Sequence, residues 1–308
     1  PIIDGAVLRD TFVIYKQHAT YLMQYVGGSF VFNSRSLFGS SGILARNCVV
    51  EYEGNHYVLT DGDVIRHDGN NLLSIVYRRD KQGLFDAMNT EFYQSCFVVL
   101  NKQRNEIMFC YPNGTDEVPS WAMCYDTKGD AIGLRQIGAA EHIGSGAVTV
   151  SGFSSDWDSA IGSWDDQVGS WDSAKYSAAE DGLLIANSAE SLVYYMDAAI
   201  QQDGLTTFFG LAKEYFDFGA PGQNKTCVRL WPKVSKATTG TLQIRVGATA
   251  TATAPIDYGS YYNFSPGVDE YVDVLESGRY LSFQFTAYAG KINMIGFDVE
   301  LRNGGGRY

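Results

Sequence analysis

Along the first 140 residues, short apolar, β-branched and aromatic runs are cut at close intervals by glycine, asparagine and aspartate. Residues 11–16, 21–25 and 30–35 form one group, separated by Gln17-His18 and Gly27-Gly28. Residues 47–52, 56–59 and 63–67 form a second, turning at Glu53-Gly54-Asn55 and Thr60-Asp61-Gly62 and ending at Asp68-Gly69. A third comprises residues 96–100, 106–111, 121–125 and 132–135. Val, Ile, Tyr, Phe and Thr suit a pleated, half-buried surface, and Gly, Asn and Asp supply the turn geometry between strands. Each group therefore predicts an antiparallel meander of three or four short strands. A recurrence of about 35–50 residues fits a β-propeller blade better than a sandwich, whose turns punctuate evenly. Between the second and third groups, Leu84, Phe85, Met88 and Phe92 stand at helical spacing and predict a short surface helix over residues 79–93, its apolar stripe packed on the core.

From Gly182 the strand pattern resumes at residues 183–186, 192–196, 227–231, 241–246, 271–274, 280–286 and 292–301. Residues 241–246 alternate with period two, so one face is buried and the other solvated. The Ala/Thr run 248–254 reads as a hairpin arm or an extended loop. The fold class is therefore all-β. Propeller-like blades over 1–150 are followed by a tract or linker over 151–181, then over 182–308 by a C-terminal β domain, a sandwich or closing blades.

The tract breaks the pattern. Trp157-Asp158, Trp164-Asp165 and Trp171-Asp172 recur every seven residues in Ser/Gly-rich surroundings and hold three of the chain's five tryptophans. A coiled-coil seam is excluded because no a/d pattern accompanies them. A WD40 blade carries its Trp-Asp pair once in about 40 residues, and Asp156-Trp157-Asp158 lacks the rest of an EF-hand loop. Three such aromatics are expected to anchor an ordered loop on a neighbouring surface, so Trp157, Trp164, Trp171, Asp158, Asp165 and Asp172 are candidate interface residues.

Charge and composition narrow the function classes. Lys plus Arg number 23 and Asp plus Glu 35, a net charge of −12. Residues 156–217 hold twelve acidic and two basic side chains, so −10 of that total is local. Such a balance argues against a protein that clamps nucleic-acid phosphates with cations, and no apolar run is long enough for a membrane-spanning helix. Cys48, Cys96, Cys110, Cys124 and Cys227 are odd in number and irregularly spaced, a poor disulfide framework; the first four sit among strand-forming residues and read as small buried hydrophobes. His18, His56, His67 and His142 fall in turns or strand edges without metal-ligand spacing. There is no GxSxG elbow, P-loop or sialidase-type Asp-box. No catalytic residue, metal or cofactor is expected, and the reading is not that of an enzyme.

Trp121 to Asp126, with Gly129 and Gly133-Leu134-Arg135, resembles the outer hairpin of a kelch-type blade. A broader resemblance runs through Phe12-Val13-Ile14-Tyr15-Lys16, Tyr21-Leu22-Met23-Gln24-Tyr25-Val26-Gly27-Gly28, Phe30-Val31-Phe32 and Cys48-Val49-Val50-Glu51-Tyr52. It continues in Asp61-Gly62-Asp63-Val64-Ile65-Arg66-His67-Asp68-Gly69, the Trp-Asp tract, Ser277-Gly278-Arg279-Tyr280-Leu281-Ser282-Phe283 and Gly296-Phe297-Asp298-Val299-Glu300. Together these resemble the C-terminal portion of the tail nozzle or hub proteins (tubular tail proteins) of short-tailed bacteriophages. The resemblance implies a virion structural subunit, assembled in the host cytoplasm as a homohexameric ring below the portal and adaptor. Genomic DNA would pass through its lumen without tight binding. Two other classes stay open: a carbohydrate- or host-receptor-binding propeller, and a glycan-degrading propeller enzyme. Three blades are too few to close a ring, so earlier residues or the segment after Gly182 are expected to complete it.

Overall fold

A computed structural model describes residues 1–28, 31–147, 181–187, 191–197, 201–202, 205–206, 208–235, 238–288, 290 and 292–303. They form an almost entirely β protein divided into two compact units, Pro1–Met196 and Asp197–Tyr308.

In the first unit, β1 (Ile2–Leu8), β2 (Thr11–Lys16), β3 (Thr20–Tyr25) and β4 (Phe32–Phe38) make one antiparallel meander, paired in chain order. β5 (Val49–Tyr52), β6 (Asn55–Leu59), β7 (Val64–His67) and β8 (Leu72–Ser74) make the second. β9 (Phe97–Asn101), β10 (Glu106–Tyr111), β11 (Trp121–Asp126) and β12 (Ala131–Gln136) make the third, whose outer hairpin is β11–β12. A fourth, three-stranded sheet joins β13 (His142–Ala147), β14 (Asp181–Asn187) and β15 (Leu192–Tyr195). Local sequence chemistry sets these hairpins. Between β5 and β6, Glu53 (φ 49°) and Gly54 (φ 73°) both take left-handed backbone, as a two-residue primed turn requires.

The first strands of successive sheets touch one another, β1 with β5, β5 with β9 and β9 with β13. The sheets thus follow one another in the manner of propeller blades. Sheet three shows what this arrangement demands of a sequence. Val98 and Leu100 join a core shared with the first two sheets, while Phe97 and Val99 join another with Ile143, Leu183 and Ile185 of the fourth. Because both faces are covered, β9 is buried along its whole length and reads as a continuous apolar run. The outer strands are exposed instead, β4 and β8 most clearly.

The expected helix forms as α1 (Arg78–Ala87), followed by a 3₁₀ segment over Thr90–Ser95. Leu84 and Met88 are buried in the core and Phe85 packs against it, as the stripe predicts, whereas Phe92 remains partly exposed. Lys81 Nζ reaches Asp63 Oδ2 at 2.7 Å and ties the helix to the second sheet.

The boundary of the first unit differs from the sequence expectation. β14 and β15 were grouped with the C-terminal region over 182–308, yet the division falls after Met196. The reason is hydrogen bonding: His142 to Ala147 pair in register with Ala186 to Asp181. The segment after Gly182 therefore supplies two strands of the fourth sheet.

The second unit contains the short pair β16 (Gln201–Gln202) and β17 (Leu205–Thr206) and two larger sheets. The remaining strands are β18 (Phe209–Phe216), β19 (Lys225–Val234), β20 (Leu242–Thr249), β21 (Tyr262–Phe264), β22 (Val272–Gly278), β23 (Tyr280–Ala287) and β24 (Met294–Asn303). One sheet runs β18-β23-β20-β21 and the other β22-β19-β24. Leu281, Phe283 and Phe285 of β23 meet Cys227 and Leu230 of β19 in one apolar core, with Phe297, Val299 and Leu301 of β24 packed on it. Ala248 and Thr249 end β20, and residues 250–254 continue as turns and bends. Among the described residues no helix is long and apolar enough to cross a membrane.

Candidate functional site

The six residues singled out from sequence, Trp157, Trp164, Trp171, Asp158, Asp165 and Asp172, lie outside the described residues. Their place in the topology is fixed by what flanks them. Residues 148–180 connect β13 to β14, adjacent antiparallel strands of the fourth sheet. The tract is thus carried within one sheet's connections, ahead of the boundary between the two units.

The structure assembles a polar cluster that the sequence reading did not anticipate. His56 and His67 were placed in turns or strand edges. Both are instead buried at 0–1% exposure, where a Tyr15 hydroxyl, also fully buried, meets them. His56 Nε2 lies 2.9 Å from the carbonyl oxygen of Val7, which can only accept, so Nε2 carries the proton. His56 Nδ1 then accepts from the Tyr15 hydroxyl at 2.7 Å, and that oxygen accepts from His67 Nε2–H at 2.6 Å. His67 Nδ1 is left as a buried lone pair without a hydrogen-bond partner among the described residues. The Phe38 ring stands edge-on to His67, 5.3 Å between centroids.

Burial decides the charge state of this cluster. Desolvation, then the neighbouring His56, pushes His67 down to about 4, against a smaller opposing effect of Asp68. Desolvation also lowers His56, partly offset by its bond to Val7 and by Glu51. Burial, and secondarily Asp4, raises Tyr15. All three are neutral at pH 7. The relay links β1 and β2 of the first sheet to β6 and β7 of the second, and its burial denies a substrate access. It is a structural joint. A sequence signal for half of it did exist, because the β6–β7 hairpin register pairs His56 directly with His67. The packing of one sheet on the next, which adds Tyr15, has no comparable signal.

No protein-family model and no curated protein matches the chain.

All five cysteines are buried and outside any disulfide among the described residues, as expected of Cys48, Cys96, Cys110 and Cys124 read as small hydrophobes. Burial raises the thiols of Cys48, Cys96, Cys110 and Cys227; for Cys227 it pushes the value up to about 12, assisted by Glu276. Their thiolates are therefore scarce at neutral pH. A largely apolar cleft of about 460 Å³ also lies between α1 and the third sheet, lined by Leu84 and Ala87 on one side and Tyr111, Trp121 and Met123 on the other.

Surface chemistry differs between the outer faces of the sandwich sheets. On the β22-β19-β24 face, Arg229 pairs with Asp273 at 2.8 Å and Lys233 with Asp298 at 2.7 Å. On the β18-β23-β20-β21 face, Arg245 directs Nε and Nη2 to Gln284 Oε1 at 3.1 and 2.8 Å, a neutral partner. Its guanidinium also lies 4.5 Å from the Tyr261 ring centroid and 5.1 Å from that of Tyr258.

Proposed function

We propose that this chain is a structural subunit of the tail of a short-tailed bacteriophage, a nozzle or hub protein. It assembles as a homo-oligomeric ring, a hexamer in the resembling family, next to the portal and adaptor, and genomic DNA passes through its lumen during ejection. The observation that carries this reading is the succession of antiparallel meander sheets whose first strands lie side by side. That is the architecture implied by the resembling residues. The acidic balance adds to it, because a negatively charged wall lets duplex DNA pass without retaining it. Exposed apolar side chains at the β3–β4 hairpin, Tyr25 at 67% and Phe32 at 57%, offer material for contacts between subunits.

Sequencing the DNA on either side of the coding gene tests the reading. Adjacent portal and adaptor genes are the expected result. A neighbourhood of carbohydrate-metabolism genes without virion genes contradicts it. Carbohydrate or host-receptor binding is the second reading, and one observation favours it: the arginine and tyrosine face of the second unit.

A further inference from the structure

We infer that the outer face of β20 and β23 in the second unit is a saccharide-binding surface centred on Arg245, Gln284, Tyr258 and Tyr261. The inference does not rest on the tail reading. Register places Arg245 opposite Gln284, and both project away from the core that Ile244, Val246, Phe283 and Phe285 fill. Around them stand small residues. Ala212 pairs with Gln284 across β18, whereas Gly247, paired with Ser282, is covered by Ile256 and Tyr258, so the exposed part of the cluster is the Tyr261 ring.

The hydrogen-bonding pattern leaves donors to spare. Gln284 Oε1 takes two guanidinium bonds, which orients its amide nitrogen, and Arg245 Nη1 has no hydrogen bond among the described residues. Tyr258 Oη is buried beneath the cluster with no hydrogen-bond partner among the described residues, so its ring, not its hydroxyl, supports the Arg245 guanidinium. Burial raises this hydroxyl's pKa, Glu214 raises it further, and Arg245 opposes them. Tyr261, 53% exposed, presents an aromatic surface beside these groups.

A sugar ring matches this set: an apolar C–H face to lie on the Tyr261 ring, and a rim of hydroxyls to bond the arginine and the amide. The opposite sheet supplies the contrast. Its cations are neutralised by Asp273 and Asp298, as an ordinary solvated face would have them. A nucleobase would also stack on Tyr261, but a chain at −12 repels the phosphates that accompany it.

The test is an immobilised array of neutral and acidic bacterial glycans probed with the intact chain. Affinity for the best-retained glycan is then measured for Tyr261→Ala, Gln284→Ala and Arg229→Ala. Retention of a glycan is expected, with at least about tenfold weaker binding for the first two variants and no change for the third. Near-identical circular dichroism spectra and melting temperatures identify folded variants. Should one misfold, Tyr261→Phe, which keeps the ring, is expected to retain binding. Failure to retain any glycan overturns the inference. So does binding that survives both Tyr261→Ala and Gln284→Ala, or preferential binding of an oligothymidylate probe.

Discussion

The two units solve the same problem, covering both faces of short β-sheets, in opposite ways. In the first unit each sheet is a meander in chain order, stacked on the next, and a hydrogen-bonded Tyr15–His56–His67 joint sits between two of them. In the second, strand order departs from chain order, and an apolar core separates two sheets whose ionic pairs stand on the outer face. The first gains specificity from a buried polar relay at an inter-sheet junction, hydrogen-bonded from Val7 through His56 and Tyr15 to His67. The second gains stability from aromatic packing. Lys225 is its buried cation, held by the carbonyls of Gln223 and Arg279 at 3.1 and 2.7 Å.

The largest expected effect tests the aromatic core. Phe283 is fully buried, with Phe218 edge-on and Phe297 5.1 Å away between centroids. Phe283→Ala is expected to cost about 3–5 kcal/mol. Hydrogen exchange read by mass spectrometry should quicken across β18–β24 and stay unchanged over β1–β12. Equal acceleration in both regions would erase the distinction between the units.

Tyr15→Phe comes next. It strips the partner from two buried imidazoles and is expected to cost about 2–6 kcal/mol, since each unsatisfied group costs roughly 1–3. Denaturant unfolding followed through peptides of the first two sheets measures it, and a change below about 0.5 kcal/mol would mean that the joint contributes nothing.

Acid sensitivity separates the units further. His67 is lowered in the folded chain to about 4 from 6.5, so between those values the unfolded chain binds more protons. Stability therefore falls as pH drops through that window, by about 3 kcal/mol for this group, and His56 shifts in the same direction. Asp68, beside His67, is held down to about 2 by hydrogen bonds from the Asn71 and Asn70 backbone, so it stays ionised through the window and does not reverse the sign. The loss should appear in exchange rates of β1–β7 before those of β19–β24. A pH-independent first unit between 4 and 6.5 would contradict the relay.

Trp164→Ala is expected to have the smallest effect on stability, within about 0.5 kcal/mol, while weakening assembly. Comparing its melting temperature with its sedimentation separates the roles. Equal loss in both would make Trp164 a core residue.

The same contrast explains what was legible in the sequence. Chain-ordered meanders announce themselves through local signals, the Glu53-Gly54 turn and the apolar runs of β9 and β10, so three sheets were readable from residues alone. β1, β8 and β13 stayed hidden: Asp4-Gly5 interrupts the apolar run of β1, β8 has three residues, β13 is rich in Gly and Ser, and the place of each depends on pairing with a neighbour. In the second unit the alternation of β20 was plain, yet nothing local says that β23 lies between β18 and β20. The sites follow suit. Arg245 and Gln284 are 39 residues apart and meet only through that non-local register, and Tyr15 is 41 residues from His56. The Trp-Asp repeat was conspicuous as sequence, but its connection between two paired strands emerged only with the ladder of β13 and β14.

Native mass spectrometry of the purified chain at micromolar concentration tests the central proposal most directly. The ring reading predicts a closed oligomer, with the hexamer as the main species. A stable monomer across that concentration range would contradict it.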